Sequence, residues 1–367
     1  MAGGILPTQW CRLGAASLLF GCTAIPIHEI YFEKRDFIAV KVSQDRYPCR
    51  EAKVRRADPR PSTTVRAMAL KLGIVTPVLH MNPRFDPPEW EVTASVSDVV
   101  DVVQQAETLG YDWVACSEHI AIPAAASTVR GGRYWDPFST LGFFAAKTTR
   151  VGLLTHMAVL PYHHPLELVK RLGTLDLLSD GRVIAGVGVG SLEPEFNVLG
   201  HAFDGRGDRS DDAIRAIRAS WSHRLPEYHG THYDYQDFIV EPSGLDRALP
   251  IWVGGRTRRS LRRALELGDA WMPFGFKLEP LTELLADPTV VKALDRFAEE
   301  HGAPLDLILA PEPPIDPLGD PSATRDFLAS YVAIGATGFS LRFDHHSLAH
   351  YGEEMAAMQE LAGTLAP

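Results

Sequence analysis

The chain runs to 367 residues, 46% hydrophobic and 22% charged, the composition of an ordinary soluble globular protein with length enough for a sizeable core. Its net charge of −10 hides an asymmetry: residues 1–67 hold 11 Lys and Arg against 6 Asp and Glu, leaving 25 against 40, or −15, for the remainder. So acidic a body disfavours nucleic acid and anionic membranes as partners, and its single cysteine, Cys116, suits a reduced, cytoplasmic setting.

At the N-terminus, LGAASLLFGC ending at Cys22 has the outline of a lipoprotein signal. Only Arg12 precedes it as a cation, and an apolar stretch of about eight residues is too short to span a bilayer. Residues 50–66 are basic, contain proline and show no apolar periodicity, as in a linker or disordered tail. The favoured reading makes residues 1–67 a weakly ordered extension, produced by an upstream translation start that the cell does not use. The patterned domain then occupies 68–367.

From Leu70 onward, short β-branched runs alternate with helical spacing, the sign of parallel βα units. Strands are expected near 70–75, 112–116, 151–156, 182–188, 250–255, 269–274, 305–311 and 338–343. After the first, Val99, Val102, Val103, Ala106 and Leu109 fall on one helical face, and Gly110 supplies the stop. Eight strands, each followed by a helix, predict a (β/α)8 TIM barrel rather than a doubly wound sheet. The glycines at 186, 188 and 190 do not fit the dinucleotide fingerprint, because Gly190 comes one residue early and the alternative register puts Glu193 where glycine is required. Aromatic alternation over 228–244 predicts a small hairpin inserted before strand five and covering part of the barrel mouth. Pro288 and the proline-rich stretch 310–323 mark loops.

In such a barrel the C-terminal ends of the strands carry the chemistry. Ser117, Glu118 and His119 follow the second strand, and an imidazole there is a plausible proton donor or cofactor contact. Thr155 and His156 end the third strand, while His163 and His164 are expected to face solvent where the next helix starts. Gly186, Gly188 and Gly190 lie where strand four enters its loop, bringing backbone close to a ligand. After strand five, Gly254, Gly255, Arg256 and Thr257 lead into a helix, and its N-terminal amides with an Arg fork and a hydroxyl make an anion cradle suited to a phosphate. Arg130–Pro137 is expected to form a lid, with Tyr134 and Trp135 as an apolar wall.

The run from 150 to 200, with SEH at 117–119 and PIWVGGRTRRSLRRALELGDAWMPFG at 250–275, resembles the luciferase-like monooxygenase superfamily, nearest the branch of coenzyme F420-dependent oxidoreductases; the resemblance covers about residues 68–362. It implies a barrel in which Glu118 and His119 lie beside a flavin or deazaflavin ring lined by Thr155, His156 and Met157, with a non-prolyl cis peptide bond common at that point. Gly188, Gly190 and Ser191, with Gly254, Gly255, Arg256 and Thr257, would hold the ribityl chain and phosphate. The deazaflavin sugar-phosphate dehydrogenases carry an acid directly after the glycine motif; this chain has Ser191 there, which weakens that particular reaction. His119 is taken as the proton-handling group, with Glu195 as the lesser candidate.

The implied activity is hydride transfer between coenzyme F420 and a small, apolar or aromatic substrate, the cofactor carrying the difficult chemistry. The alternative is an FMN-dependent monooxygenase fed by a separate flavin or F420 reductase, and the family suggests a homodimer. A metal-dependent hydrolase is a remote alternative: strand one is followed by a single His80, and the histidines of FDHHSLAH have no matching set on other strands.

Overall fold

A computed structural model describes residues 70–365 and four short strands nearer the N-terminus. The chain divides into two units, Met1–Val65 and Arg66–Pro367. In the first, Ser17–Phe20 pairs antiparallel with Thr23–Pro26, and Ile30–Glu33 with Phe37–Val40; the remainder of the expected extension lies outside the described residues.

The second unit is a closed parallel barrel. Its strands are β1 (Lys71–Val75), β2 (Trp113–Cys116), β3 (Gly152–Thr155), β4 (Val183–Gly188), β5 (Ile251–Gly254), β6 (Ala270–Met272), β7 (Asp306–Leu309) and β8 (Gly338–Leu341). β8 closes on β1, with Gly338 opposite Lys71 and Leu341 opposite Ile74. All eight expected strands occur, each one to three residues shorter than its hydrophobic run. Between β6 and β7 the run continues only as an isolated bridge from Phe274 to Ala310.

The outer helices are α1 (Val96–Leu109), α2 (Pro137–Ala145), α3 (Pro165–Leu178), α4 (Arg206–Ser220), α5 (Arg258–Leu267), α6 (Pro288–His301), α7 (Pro321–Val332) and α8 (Leu348–Ala362). α1 begins in a capping box between Ser95 and Asp98, buries Val99, Val102, Val103 and Ala106, and stops at Gly110 with φ +86°, whose left-handed backbone lets its N–H donate to the Ala106 and Glu107 carbonyls. α2, α3, α6 and α7 each open on proline, whose fixed φ and missing N–H cost nothing in a first turn. Pro288 therefore starts a helix, correcting its reading as a loop marker.

Inside the barrel Trp113 of β2 meets Trp252 of β5 edge to face, with centroids 4.9 Å apart, packed with Leu154, Met272 and Ile308. This layer dictates Gly73: a Cβ there would lie 2.0 Å from the Trp113 ring. Outside, the helices bury the opposite strand faces in one continuous apolar shell.

The hairpin before β5 forms, pairing Tyr228–His229 with Asp234–Tyr235. Its contacts run to the outside of the barrel: Tyr228 Oη donates to Asp212 Oδ1 of α4 at 2.5 Å, and Tyr235 Oη donates to Ala216 O at 3.2 Å. It covers helices rather than the mouth, because its aromatic residues face the flank of α4. No helix among the described residues is long and apolar enough to cross a membrane.

Candidate active site

The ends of β2 to β5 lie side by side, with Cys116 opposite Thr155 and Val187 opposite Val253. The short segment Ala158–Val159 pairs onto Val187 and Gly188 and extends this wall. The loops expected to meet are therefore adjacent.

His119 follows β2 and leaves 18% of its side chain exposed. Its Nδ1 lies 2.6 Å from Oε2 of Glu195, a fully buried residue on the short helix Glu193–Val198. The other carboxylate oxygen accepts the Ile120 and Ala121 amides at 2.6 and 3.1 Å. Burial pushes the Glu195 carboxyl up, but the His119 hydrogen bond and the two amides outweigh it and hold it below the ordinary range. An ionised Glu195 can only accept, so the Nδ1 proton is fixed and Nε2 is the exchanging atom. The Tyr134 ring meets His119 at 4.6 Å and stacks on His80 at 5.7 Å.

His156 follows β3 across a cis peptide bond to Met157. Its ring is buried against Phe274 at 5.4 Å, with no hydrogen-bond partner at either nitrogen. Burial, reinforced by the charge of Arg342, pushes its pKa down to about 3, so the imidazole stays neutral. Thr155 is buried and donates Oγ1 to Gly186 O at 2.8 Å.

Several assigned residues have other work. Glu118 is turned into the wall, where it accepts the Val159 amide at 2.6 Å and pairs with His163 Nε2 at 2.8 Å. His163 is thus buried rather than solvent-facing, while His164 caps α3. The glycines make room for Met157: a Cβ at Gly254 would lie 2.7 Å from Met157 Cγ, and one at Gly188 would lie 3.2 Å from Met157 Cβ. Gly190 has φ +73° and packs on Phe196, while Ser191 is exposed. After β5, Gly255 adopts φ +116°, and the Thr257 hydroxyl and amide are both engaged with Ser260 in the capping box of α5. Arg256 is exposed and donates to Gly275 O at 2.8 Å. The helix start is intact: the Thr257 amide is engaged by Ser260 Oγ, while its hydroxyl, which only accepts from the Ser260 amide, keeps its proton to donate.

The expected lid is a fixed wall. Met81 N donates to Arg133 O and Trp135 N to Leu79 O, at 3.2 and 3.0 Å, either side of the His80–Tyr134 bridge. Gly131 could carry no side chain, because a Cβ would lie 1.5 Å from Met81 O.

The mouth therefore brings together His119, Glu195 and His156, adds Tyr134, His80 and Arg342, and leaves Glu118 and Thr155 as supports. Sequence reasoning weighed His80 only as a lone metal ligand and passed over Arg342, whose one signal was a charge ending the GFSL strand. Unpartnered nitrogens on a buried neutral imidazole, with a histidine of one fixed nitrogen on the neighbouring strand end, suit a planar polar ring; the residues fit a flavin or deazaflavin.

A family pattern described as luciferase-like monooxygenase matches residues 71–361. An uncharacterized protein of Mycobacterium tuberculosis is 28% identical over 215 residues, 55% of this chain and 72% of that protein. An FMNH2-dependent dimethylsulfone monooxygenase of Pseudomonas putida is 29% identical over 142 residues, 38% of this chain and 39% of its own. An F420-dependent secondary alcohol dehydrogenase, solved with an F420–acetone adduct, superposes with TM-score 0.61 over 82% of this chain and 100% of its own. At 14% identity this last likeness shows the fold alone.

Proposed function

The chain belongs to the luciferase-like monooxygenase family, and from that premise we propose that it is a coenzyme F420-dependent oxidoreductase acting on a small organic substrate. The deazaflavin, when bound, supplies the hydride chemistry. The protein's share is to seat the ring against His156 and Met157 and to move a proton through His119 Nε2. Glu195 holds the imidazole orientation and stabilises its protonated form. Arg256, exposed beside the N-terminus of α5, would meet the cofactor's phosphate end. The observation that carries this reading is the 2.6 Å contact between His119 and the buried, ionised Glu195, at the same barrel mouth as the partnerless neutral imidazole of His156.

His119→Ala tests it: loss of a general acid–base group lowers turnover by about 10²–10⁴-fold, while cofactor affinity, followed by fluorescence, stays close to wild type. Unchanged turnover would remove the assigned role.

A second reading, an FMN-dependent monooxygenase supplied by a separate reductase, is favoured by the likeness to the FMNH2-dependent enzyme of Pseudomonas putida. Titrating the purified chain with F420 and with FMN separates the two; binding of FMN alone would defeat the first. A homodimer belongs to either version, and light scattering on the eluting protein measures it.

A further inference from the structure

Beside the His119 site, between the ends of β1 and β8, lies a cleft whose walls include Thr76, Pro77, Phe85, Pro314, Phe343 and Tyr351. Arg342 reaches into it from the end of β8. Its guanidinium lies 4.8 Å from the Phe85 ring centre and donates to His80 Nε2 at 3.2 Å. Glu312 and Glu91 act on Arg342 through space without an ion pair to it: Glu312 pairs with Arg84 at 2.8 Å, and Glu91 accepts the Val78 amide at 2.7 Å and faces His345 at 3.3 Å. Asp86 and Asp344 line the cleft only at its exposed rim. The Thr76 hydroxyl, buried in the wall, has no hydrogen-bond partner. Burial pulls Arg342 down from its ordinary pKa, yet a guanidinium stays protonated in a protein and needs a counter-charge when desolvated.

We propose that this cleft is the substrate subsite, and that Arg342 pairs with a carboxylate carried on an apolar or aromatic body. The inference rests on the oxidoreductase reading of the neighbouring site, to which it connects through His80, Tyr134 and His119. The planar fork over Phe85 is pre-organised for two parallel hydrogen bonds to such a group, and the prolines and aromatic rings cover its body. An anion here has two possible sources, a substrate carboxylate or the cofactor's own phosphate.

The test uses the full chain and calorimetric titration with benzoate and with its neutral isostere benzamide. Benzoate should bind at least about tenfold more tightly, the equivalent of one charge-assisted contact. Arg342→Met should erase that preference and Arg342→Lys restore part of it, with F420 and FMN affinities unchanged in both. Equal binding of the two probes by the wild-type chain overturns the proposal without any variant. So does a preference that survives Arg342→Met. A tenfold loss of cofactor affinity in Arg342→Met, at unchanged benzoate preference, would assign the charge to the cofactor phosphate instead. Benzoate selectivity in a chain that binds neither cofactor would uphold the subsite and sink the oxidoreductase reading, so the two can fail separately.

Discussion

A histidine that passes protons on needs one nitrogen held and the other exposed, and the price of holding it is a buried carboxylate. Glu195 is stabilised as an anion by three donors, so its depressed pKa contributes folding stability that is present above the ordinary carboxylate range and is lost as pH falls through its lowered value. Glu195→Gln removes that acid sensitivity and also the acceptor that fixes His119. The expected result is a turnover loss approaching that of His119→Ala, with a melting temperature that varies less between pH 5 and 3, roughly the window of ordinary carboxylates; a variant as active as wild type would show that Glu195 only packs. His156 acts in the same direction for a different reason. Its folded pKa of about 3 lies below the unfolded value, so the unfolded chain takes up a proton first and stability falls as pH drops below about 6.5. His156→Asn should lessen the fall in melting temperature between pH 7 and 4, leaving the part that belongs to His80, which burial also holds well below its ordinary value, and proton NMR of the wild type should show that the His156 ring does not titrate above pH 4.

At the scale of elements, the glycines of β4 and β5 show what a one-letter pattern conceals. Their place at adjacent strand ends was legible, because short β-branched runs count off a barrel and its mouth. Their purpose was not: the spacing suggested backbone approaching a ligand, whereas the structure fills that space with the Met157 side chain. A Cβ at Gly254, 2.7 Å from Met157 Cγ, overpacks the site, at a cost of about 1–3 kcal/mol. Gly254→Ala should lower stability by that order and weaken flavin or F420 binding. Pairing it with Met157→Ala should recover most of the stability, a coupling that a double-mutant cycle by denaturant titration measures. The same limit explains the other misreadings. Glu118 and His163 are far apart in the sequence and satisfy each other, and residues 130–137 are pinned by Leu79, His80 and Met81, past the end of β1. The pairing of Glu195 with His119 belongs to this group too: it crosses 76 positions, and only the nearness of β2 and β4 loops inside a barrel gives any sign of it.

For the whole molecule, the barrel closes where β8 meets β1 and α8 packs on α1, and a titrating group lies in that seam. Glu354 of α8 is buried; its Oε2 accepts the Leu318 amide at 3.1 Å, and His350 lies 3.4 Å from its other oxygen. Burial pushes its pKa up, the Leu318 amide opposes this, and the Asp316 carboxyl beside it adds to the rise, leaving it at about 7. A carboxyl raised in the folded state gives stability that is complete below its unfolded value and is lost as pH rises through the folded one. This is opposite in sign to Glu195 and His156, so as pH rises toward neutrality the seam offsets part of the stability that the site gains. The melting temperature of Glu354→Gln, which keeps the shape and cannot ionise, should therefore rise relative to the wild type from about pH 4.5 to 7, the interval between the ordinary and the raised Glu354 values, and the difference should stay level above it. A difference between variant and wild type that does not change with pH over that interval would move the sensitivity to another group.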